Sequence, residues 1–282
     1  MDRRGFLAVT TGAVAASVLT ACARQAPLDM SGDSPGTDSP TTPTPRGVTP
    51  ARPSESATSL TSPAASPPPL PTTKGVIPVG VAITEIPVPG PYMAWTIDDG
   101  TDPDVVAAYA QLAEQTGTRL TFFLNGNQPS WTTHAHRLRP LVESGQIQLG
   151  NHTWSHPDLR ALSTQGIQDQ LQRNEDFIMS TYGVSAKPFY RPPFGYVNAH
   201  VRSAAAAIGY TAPTLWYGSL SDSSVLTSDQ ISAFGDQWFN AGRIVIAHAN
   251  HPGVIGAMQH LVDLVAQRGL RTVTLRDVFQ TT

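Results

Sequence analysis

From residue 92 to residue 275, apolar runs of strand length alternate with segments whose apolar residues recur at helical spacing. Strands are predicted at 93–98, 119–124, 147–150, 188–191, 211–216, 243–248 and 271–275. Helical spacing shows in Val105, Val106, Tyr109, Leu112 and Ala113, and again in Ile167, Leu171 and Ile178. Regular βα alternation is the pattern of parallel strands with helices packed outside them. Seven such units suit an α/β barrel, closed or partly open. In these architectures, connecting loops gather functional groups at the C-terminal ends of the strands. Any proposed site should therefore draw its residues from positions just after strands.

The rest of the chain reads differently. Residues 1–22 form a targeting segment: Arg3-Arg4 gives a twin-arginine start, and the apolar stretch after it is shorter than the roughly 20 residues a bilayer-spanning helix needs. That stretch ends in Leu19-Thr20-Ala21-Cys22, which resembles a bacterial lipobox and marks Cys22 for lipidation. Cys22 is the chain's single cysteine, so the exported part has no internal disulfide and must rely on its core, with or without a metal. Residues 23–75 hold 12 of the 25 prolines amid Ser, Thr and Ala, a composition that cannot bury enough surface to offset ordering entropy. They are expected to form a disordered, semi-extended stalk, with one α/β domain over 76–282. A net charge of -3 gives no reason to expect a nucleic-acid partner.

Four clusters within the domain carry chemistry. Asp98-Asp99-Gly100 closes the first predicted strand; adjacent carboxylates in one mouth repel unless a cation or an arginine lies nearby, although the same tripeptide is also a common turn. Asn151-His152-Thr153-Trp154-Ser155-His156 follows the third strand, and histidines four apart can share one cation from a helical turn. With Asp99 as a third ligand, His152 and His156 would leave coordination positions open, as a catalytic Zn²⁺ site requires. Arg191-Pro192-Pro193-Phe194-Gly195-Tyr196 follows the fourth strand as a stiffened turn, with an arginine suited to a bidentate carboxylate contact. Ile244-Val245-Ile246-Ala247-His248 is a buried-strand pattern ending in a histidine, a good position for a general acid or simply a core histidine.

In this order, and with the connecting phrases Thr121-Phe122-Phe123-Leu124-Asn125-Gly126 and Thr272-Val273-Thr274-Leu275, the chain from Tyr92 to Phe279 resembles the polysaccharide deacetylase family. These are the NodB-homology domains, or family 4 carbohydrate esterases, and the resemblance implies a distorted (β/α)7 barrel. It implies one divalent metal ion, zinc by preference, on Asp99, His152 and His156, with Asp98 as general base held by Arg191 and His248 as general acid. Phe194, where the family often has tyrosine, matches the position that offers its backbone N–H to the oxyanion, and Ile246 matches the apolar wall beside the acetyl methyl. Tyr196 is a candidate for stacking on a sugar ring. The fourth motif departs from the family pattern: Asp222 is kept as partner of His248, but Ser219 and Ser223 replace an aspartate and a tryptophan.

The implied activity is hydrolysis of N-acetyl groups on a cell-envelope polysaccharide, with peptidoglycan N-acetylhexosamine as first choice. The enzyme is expected on the extracytoplasmic face of the bacterial membrane, held by its lipid and needing no obligate protein partner. Two rival readings use the same scaffold: an O-acetyl esterase on xylan or another glycan, and a non-catalytic glycan-binding lipoprotein, supported only by the altered fourth motif. A metal phosphoesterase would call for more metal ligands or a basic phosphate cradle, and neither is visible in the sequence. His134 and His136 read as solvated histidines, Trp95 and Trp238 as core. If Cys22 is acylated, the wild-type chain will partition into detergent and Cys22→Ser will stay in the aqueous phase; an aqueous wild type ends the lipoprotein reading.

Overall fold

The centre of the sheet is β1 (Tyr92–Asp99), buried along nearly its whole length because both of its faces are covered. In the computed structural model, which describes residues 60–61 and 66–281, the other strands are β2 (Leu120–Leu124), β3 (Ile147–Asn151), β4 (Phe189–Tyr190), β5 (Ala212–Pro213), β6 (Gly218–Ser219), β7 (Ile244–His248) and β8 (Arg271–Thr272). The helices are α1 (Pro103–Thr116), α2 (Ser130–Thr133), α3 (Ala135–Glu143), α4 (Thr164–Tyr182), α5 (Ala199–Ala206), α6 (Ser228–Trp238), α7 (Gly253–Gln267) and α8 (Leu275–Val278). Strand order is β5-β4-β3-β2-β1-β7-β6, with β8 pairing β1, and every pairing between these strands is parallel. The architecture is a curled, partly open barrel with helices outside. All seven expected strands are present. The two-residue β6 was not anticipated, because Gly218-Ser219 is too short and too polar to stand out from a loop.

Strand alternation sorts the core into two layers. Trp95, Ile97, Phe122, Leu124, Val245 and Ala247 pack outward in one large apolar cluster. Ala94, Phe123, Phe189, Ala212, Ile244 and Val273 form a second cluster inside the curl. On β1 the inward row continues as Thr96 and Asp98, and on β7 as Ile246 and His248, so the interior changes from apolar to polar toward the C-terminal mouth. Helix ends are well specified: the Asp102 carboxylate caps α1, Ser163 caps α4, and Gly117 and Gly183 close these two helices at φ 72° and 73°.

Cys22, the targeting segment and most of the expected stalk lie outside the described residues. The stalk's described end is not free. Leu60 packs against the outer core and Leu70 against the inner one. The Pro68 carbonyl accepts a 3.1 Å hydrogen bond from Arg271, and Gly75 bridges to Phe279. Leu60 and Leu70 thus supply apolar anchors within an otherwise polar composition. Among the described residues, no helix is long and apolar enough to cross a membrane.

Gly150 shows how tightly the curl is packed. A Cβ there would lie 2.5 Å from the ring of Phe123, which is fully buried and has nowhere to move. Gly150→Ala is expected to cost about 1–3 kcal/mol in chemical denaturation, the usual penalty for overpacking a core; unchanged stability would show that the curl can widen at β3.

Candidate active site

The register of the parallel strands brings the chemistry to one level. Asp98 pairs with His248 on β7, Leu124 pairs with both Asp99 and Asn151, and Asn151 pairs with Tyr190. His152 and Arg191 each follow directly on these ladder positions. Asp98, Asp99, His152, Arg191 and His248 therefore converge on the mouth, as expected for residues just after strands.

Arg191 has no solvent exposure. Its Nη1 donates to Asp98 Oδ1 at 2.6 Å and to Thr96 Oγ1 at 2.9 Å, while Nε and Nη2 donate to the carbonyls of Thr214 and Leu215, both at 3.0 Å. Its guanidinium plane also lies 4.2 Å from the ring centroid of Phe123. The bidentate carboxylate contact expected from sequence is therefore replaced by a single one, because the carbonyls take the rest of the fork. Burial lowers the Arg191 pKa, with the Asp98 charge opposing that shift.

Asp99 sits at φ 72°, a left-handed conformation that turns its carboxylate into the mouth. Its carbonyl is held by Trp131 Nε1 at 2.9 Å and by the Asn125 N–H at 3.2 Å. Its Oδ1 lies 3.3 Å from His152 Nε2 and 3.5 Å from His156 Nε2, and its Oδ2 accepts 2.6 Å from Asn250 Nδ2. Burial alone would raise the Asp99 pKa, but the hydrogen bond and charge of His152, with help from His248 and Asn250, hold it well below the usual carboxylate range.

The two histidines do not share a helical turn, contrary to the sequence expectation. Residues 152–156 form a loop with Thr153 at φ 73° and His156 at φ 58°, and these reversals bring the rings to 4.9 Å between centroids. A buried polar network holds that loop. Asn125 Nδ2 donates to the carbonyls of His152 and Thr153, Asn151 Oδ1 accepts from the Thr153 N–H, and His152 Nδ1 lies 2.7 Å from the Arg191 carbonyl. With Nδ1 engaged by that carbonyl, Nε2 is the ring nitrogen that faces Asp99 and could bind a metal.

Asp99, His152 and His156 can each offer a ligand atom, all within 4.8 Å of one another, and among the described residues they are the one such group able to hold a metal ion. Among the described residues His134 and His136 join no such group, and the Nε2 of the half-buried His134 is buried without a hydrogen-bond partner. On the other side of Asp98, the fully buried Asp222 grips His248 twice: Oδ1 lies 3.0 Å from Nδ1 and Oδ2 accepts the His248 N–H at 3.0 Å. Burial by itself would lower the His248 pKa; the Asp222 hydrogen bond and the negative field of Asp98, Asp222 and Asp99 raise it.

Phe194 and Tyr196 are exposed at the rim. Phe194 adopts φ 60° with its ring 4.6 Å from that of His156, and Arg160 lies 3.8 Å over the ring of Tyr196. Ile246 is buried, two residues before His248 on the same side of β7. Trp154 is half-buried and packs beside Gly126, Phe177 and Arg173. Sequence reasoning missed Asn250, whose only signal was its place two residues after His248, and Trp131, whose bond to the Asp99 carbonyl has no local signal. It also passed over Asn174, whose amide bridges the Leu124 carbonyl, Asn151 and the Gly126 N–H from the middle of α4.

A family model described as polysaccharide deacetylase matches residues 85–213. A chitin deacetylase from Pestalotiopsis sp is 29% identical over 205 residues, covering 71% of this chain and 67% of its own. A peptidoglycan-N-acetylglucosamine deacetylase from Bacillus cereus is 25% identical over 202 residues, covering 68% and 71% respectively. The crystal structure of a peptidoglycan N-acetylglucosamine deacetylase shares the fold, with a TM-score of 0.63 at 23% identity over 71% of this chain and 94% of that one. The chain thus carries a polysaccharide deacetylase domain of the NodB-homology type.

Purified protein is expected to bind one divalent ion per chain and to lose it in His152→Ala. Asn250→Ala, which frees Asp99 to rotate, should weaken metal affinity about 10–100-fold, as outer-shell changes do. Full metal content in His152→Ala, measured by elemental analysis, would rule the site out.

Proposed function

We propose that this protein is a metal-dependent deacetylase that removes N-acetyl groups from a cell-envelope polysaccharide, with peptidoglycan N-acetylhexosamine as its substrate. The observation carrying this reading is the Asp99–His152–His156 group flanked by two separately oriented partners, Asp98 held by Arg191 and His248 held by Asp222. A divalent cation on the three ligands, zinc by preference for the two imidazoles and one carboxylate, would polarise the acetyl carbonyl and the attacking water. With Oδ1 committed to Arg191, the Asp98 Oδ2 is the atom left to take the water's proton. The His248 ring, bound to Asp222 through Nδ1, presents Nε2 as the proton donor to the departing amine. Water adds to the acyl carbon, the C–N bond breaks, and acetate and a free amine leave. The Phe194 N–H, on a backbone turned to φ 60° beside His156, would donate to the oxyanion, and Ile246 would line the methyl pocket. Tyr196, exposed at the rim with Arg160 over its ring, would meet the sugar there. The lipobox-like Cys22 supports a lipid-anchored enzyme on the extracytoplasmic face of the membrane.

An amide needs its leaving nitrogen protonated, whereas a reactive aryl ester does not. His248→Ala is therefore expected to lose about 10²–10⁴ in rate on N-acetyl substrates and far less on an aryl acetate. Asp98→Asn should damage both, since water must be activated in each case. Equal losses on amide and ester in His248→Ala would remove this histidine as the leaving-group acid. Because the raised His248 pKa keeps the acid protonated, activity should fall as pH rises through it; Asp222→Asn should move that alkaline limb to lower pH. Acetate release from peptidoglycan, chitin oligomers and acetylated xylan, with and without chelator, tests the substrate; release from xylan alone would favour an O-acetyl esterase.

A further inference from the structure

Where β2 and β3 begin, at the end of the sheet opposite Asp99, a cavity of about 620 Å³ is lined by Lys74, Arg119, Gln148, Ser185, Arg276 and Asp277, among others. The charges around it do not cancel. Asp277 is occupied by Arg119, which it meets at 2.7 and 2.8 Å. Arg276 spends its Nη2 on the carbonyls of Ser185 and Lys187 at 2.9 and 2.6 Å, and its Nη1 reaches Thr281 Oγ1 at only 3.5 Å. Among the described residues, neither Arg276 nor Lys74 forms an ion pair with a carboxylate. Burial lowers the Arg276 pKa, and the charge of Glu175 only partly opposes that shift; a closer anion would oppose it further.

Gln148 provides an independent sign. It is 5% exposed, and its Oε1 accepts the Arg276 N–H at 2.7 Å, which fixes which way the amide points. Its Nε2 is then a buried donor with no partner. A buried N–H without an acceptor is uncommon in folded proteins and calls for an explanation. Two cations without a carboxylate in ion-pair contact and a donor lacking an acceptor line one cavity. They come from the segment ahead of the sheet, from β3 and from α8, and so approach from different directions. A tetrahedral oxyanion offers acceptors in several directions, where a carboxylate offers two in one plane.

We infer that this cavity is a second binding site, remote from the deacetylase mouth, for a phosphate group recognised by Arg276, Lys74 and Gln148. A free phosphate and a lipid headgroup present the same chemistry of recognition. The test uses the full chain carrying Cys22→Ser, so that acylation does not contribute to lipid binding. Titration with inorganic phosphate at low ionic strength should reveal one saturable site, weakened about tenfold by Arg276→Gln and about threefold by Lys74→Gln, and relieved by added salt. His152→Ala should leave it unchanged. Because Arg276 also holds two carbonyls, Lys74→Gln, with its exposed side chain, carries the test if Arg276→Gln fails to fold; unchanged affinity in that variant would overturn the proposal. So would the absence of saturable binding, or binding lost in His152→Ala and kept in Arg276→Gln. Co-sedimentation with phosphatidylglycerol vesicles but not phosphatidylcholine vesicles would identify a lipid headgroup as the source, and phosphate binding without co-sedimentation a free phosphate.

Discussion

Arg191 is a cation without solvent contact in the throat of a curled sheet, and the mouth above it is arranged around the need to compensate that charge. Its side chain reaches β1 through Thr96 and Asp98 and the β5–β6 connection through the carbonyls of Thr214 and Leu215. Its own carbonyl meets His152 Nδ1. One residue thus orients a carboxylate with its side chain and a histidine with its backbone. Removing one partner of a buried ion pair typically costs about 3–5 kcal/mol, because the other charge is left uncompensated. The throat therefore has one stable arrangement, and the positions of Asp98 and His152 follow from it.

The second requirement is a loop that keeps two histidines on one point without a helix to hold them. Backbone at φ 73° and 58° for Thr153 and His156 is strained for side chains other than glycine. The strain is tolerated because Asn125, Asn151 and Asn174 bind the surrounding backbone from β2, β3 and α4. The network extends deeper: Asn151 Nδ2 donates to the Tyr210 hydroxyl, which donates to Glu175, and Glu175 also accepts from Ser185 and the Ala186 N–H. A fully satisfied buried network rigidifies what it touches. Asp99 is treated similarly, with its backbone fixed by Trp131 and Asn125 and its carboxylate turned by Asn250.

Much of this was legible from residue type and position. The seven strands could be found because buried parallel strands read as apolar runs, and Asp98, Asp99, His152, Arg191 and His248 stood out because each closes or follows such a run. Asp222 was legible only through resemblance, since it follows a two-residue strand with no apolar signature. Asn174, Glu175 and Tyr210 carried no signal: polar or aromatic residues on an amphipathic pattern look like a helix's solvent face until the partner element is placed. The packing of Leu60 and Leu70 was hidden for the same reason, as a few apolar residues among prolines show their value only once a surface is there to receive them.

The sequence by itself determined the class of fold, the family and the identities of the metal and acid–base candidates, because hydrophobic periodicity and motif order are local properties of a chain. Tertiary structure decided how those groups act together. Parallel register set Asp98 level with His248, left-handed backbone rather than a helical turn brought His152 and His156 together, and the curl enclosed Arg191 so that carbonyls took most of its donors. The basic cavity at the other end arises in the same way, from Lys74, Gln148 and Arg276, which are neighbours only after folding. Charge compensation and ligand geometry depend on distances between residues far apart in sequence, and those distances exist only once the sheet has closed around its core.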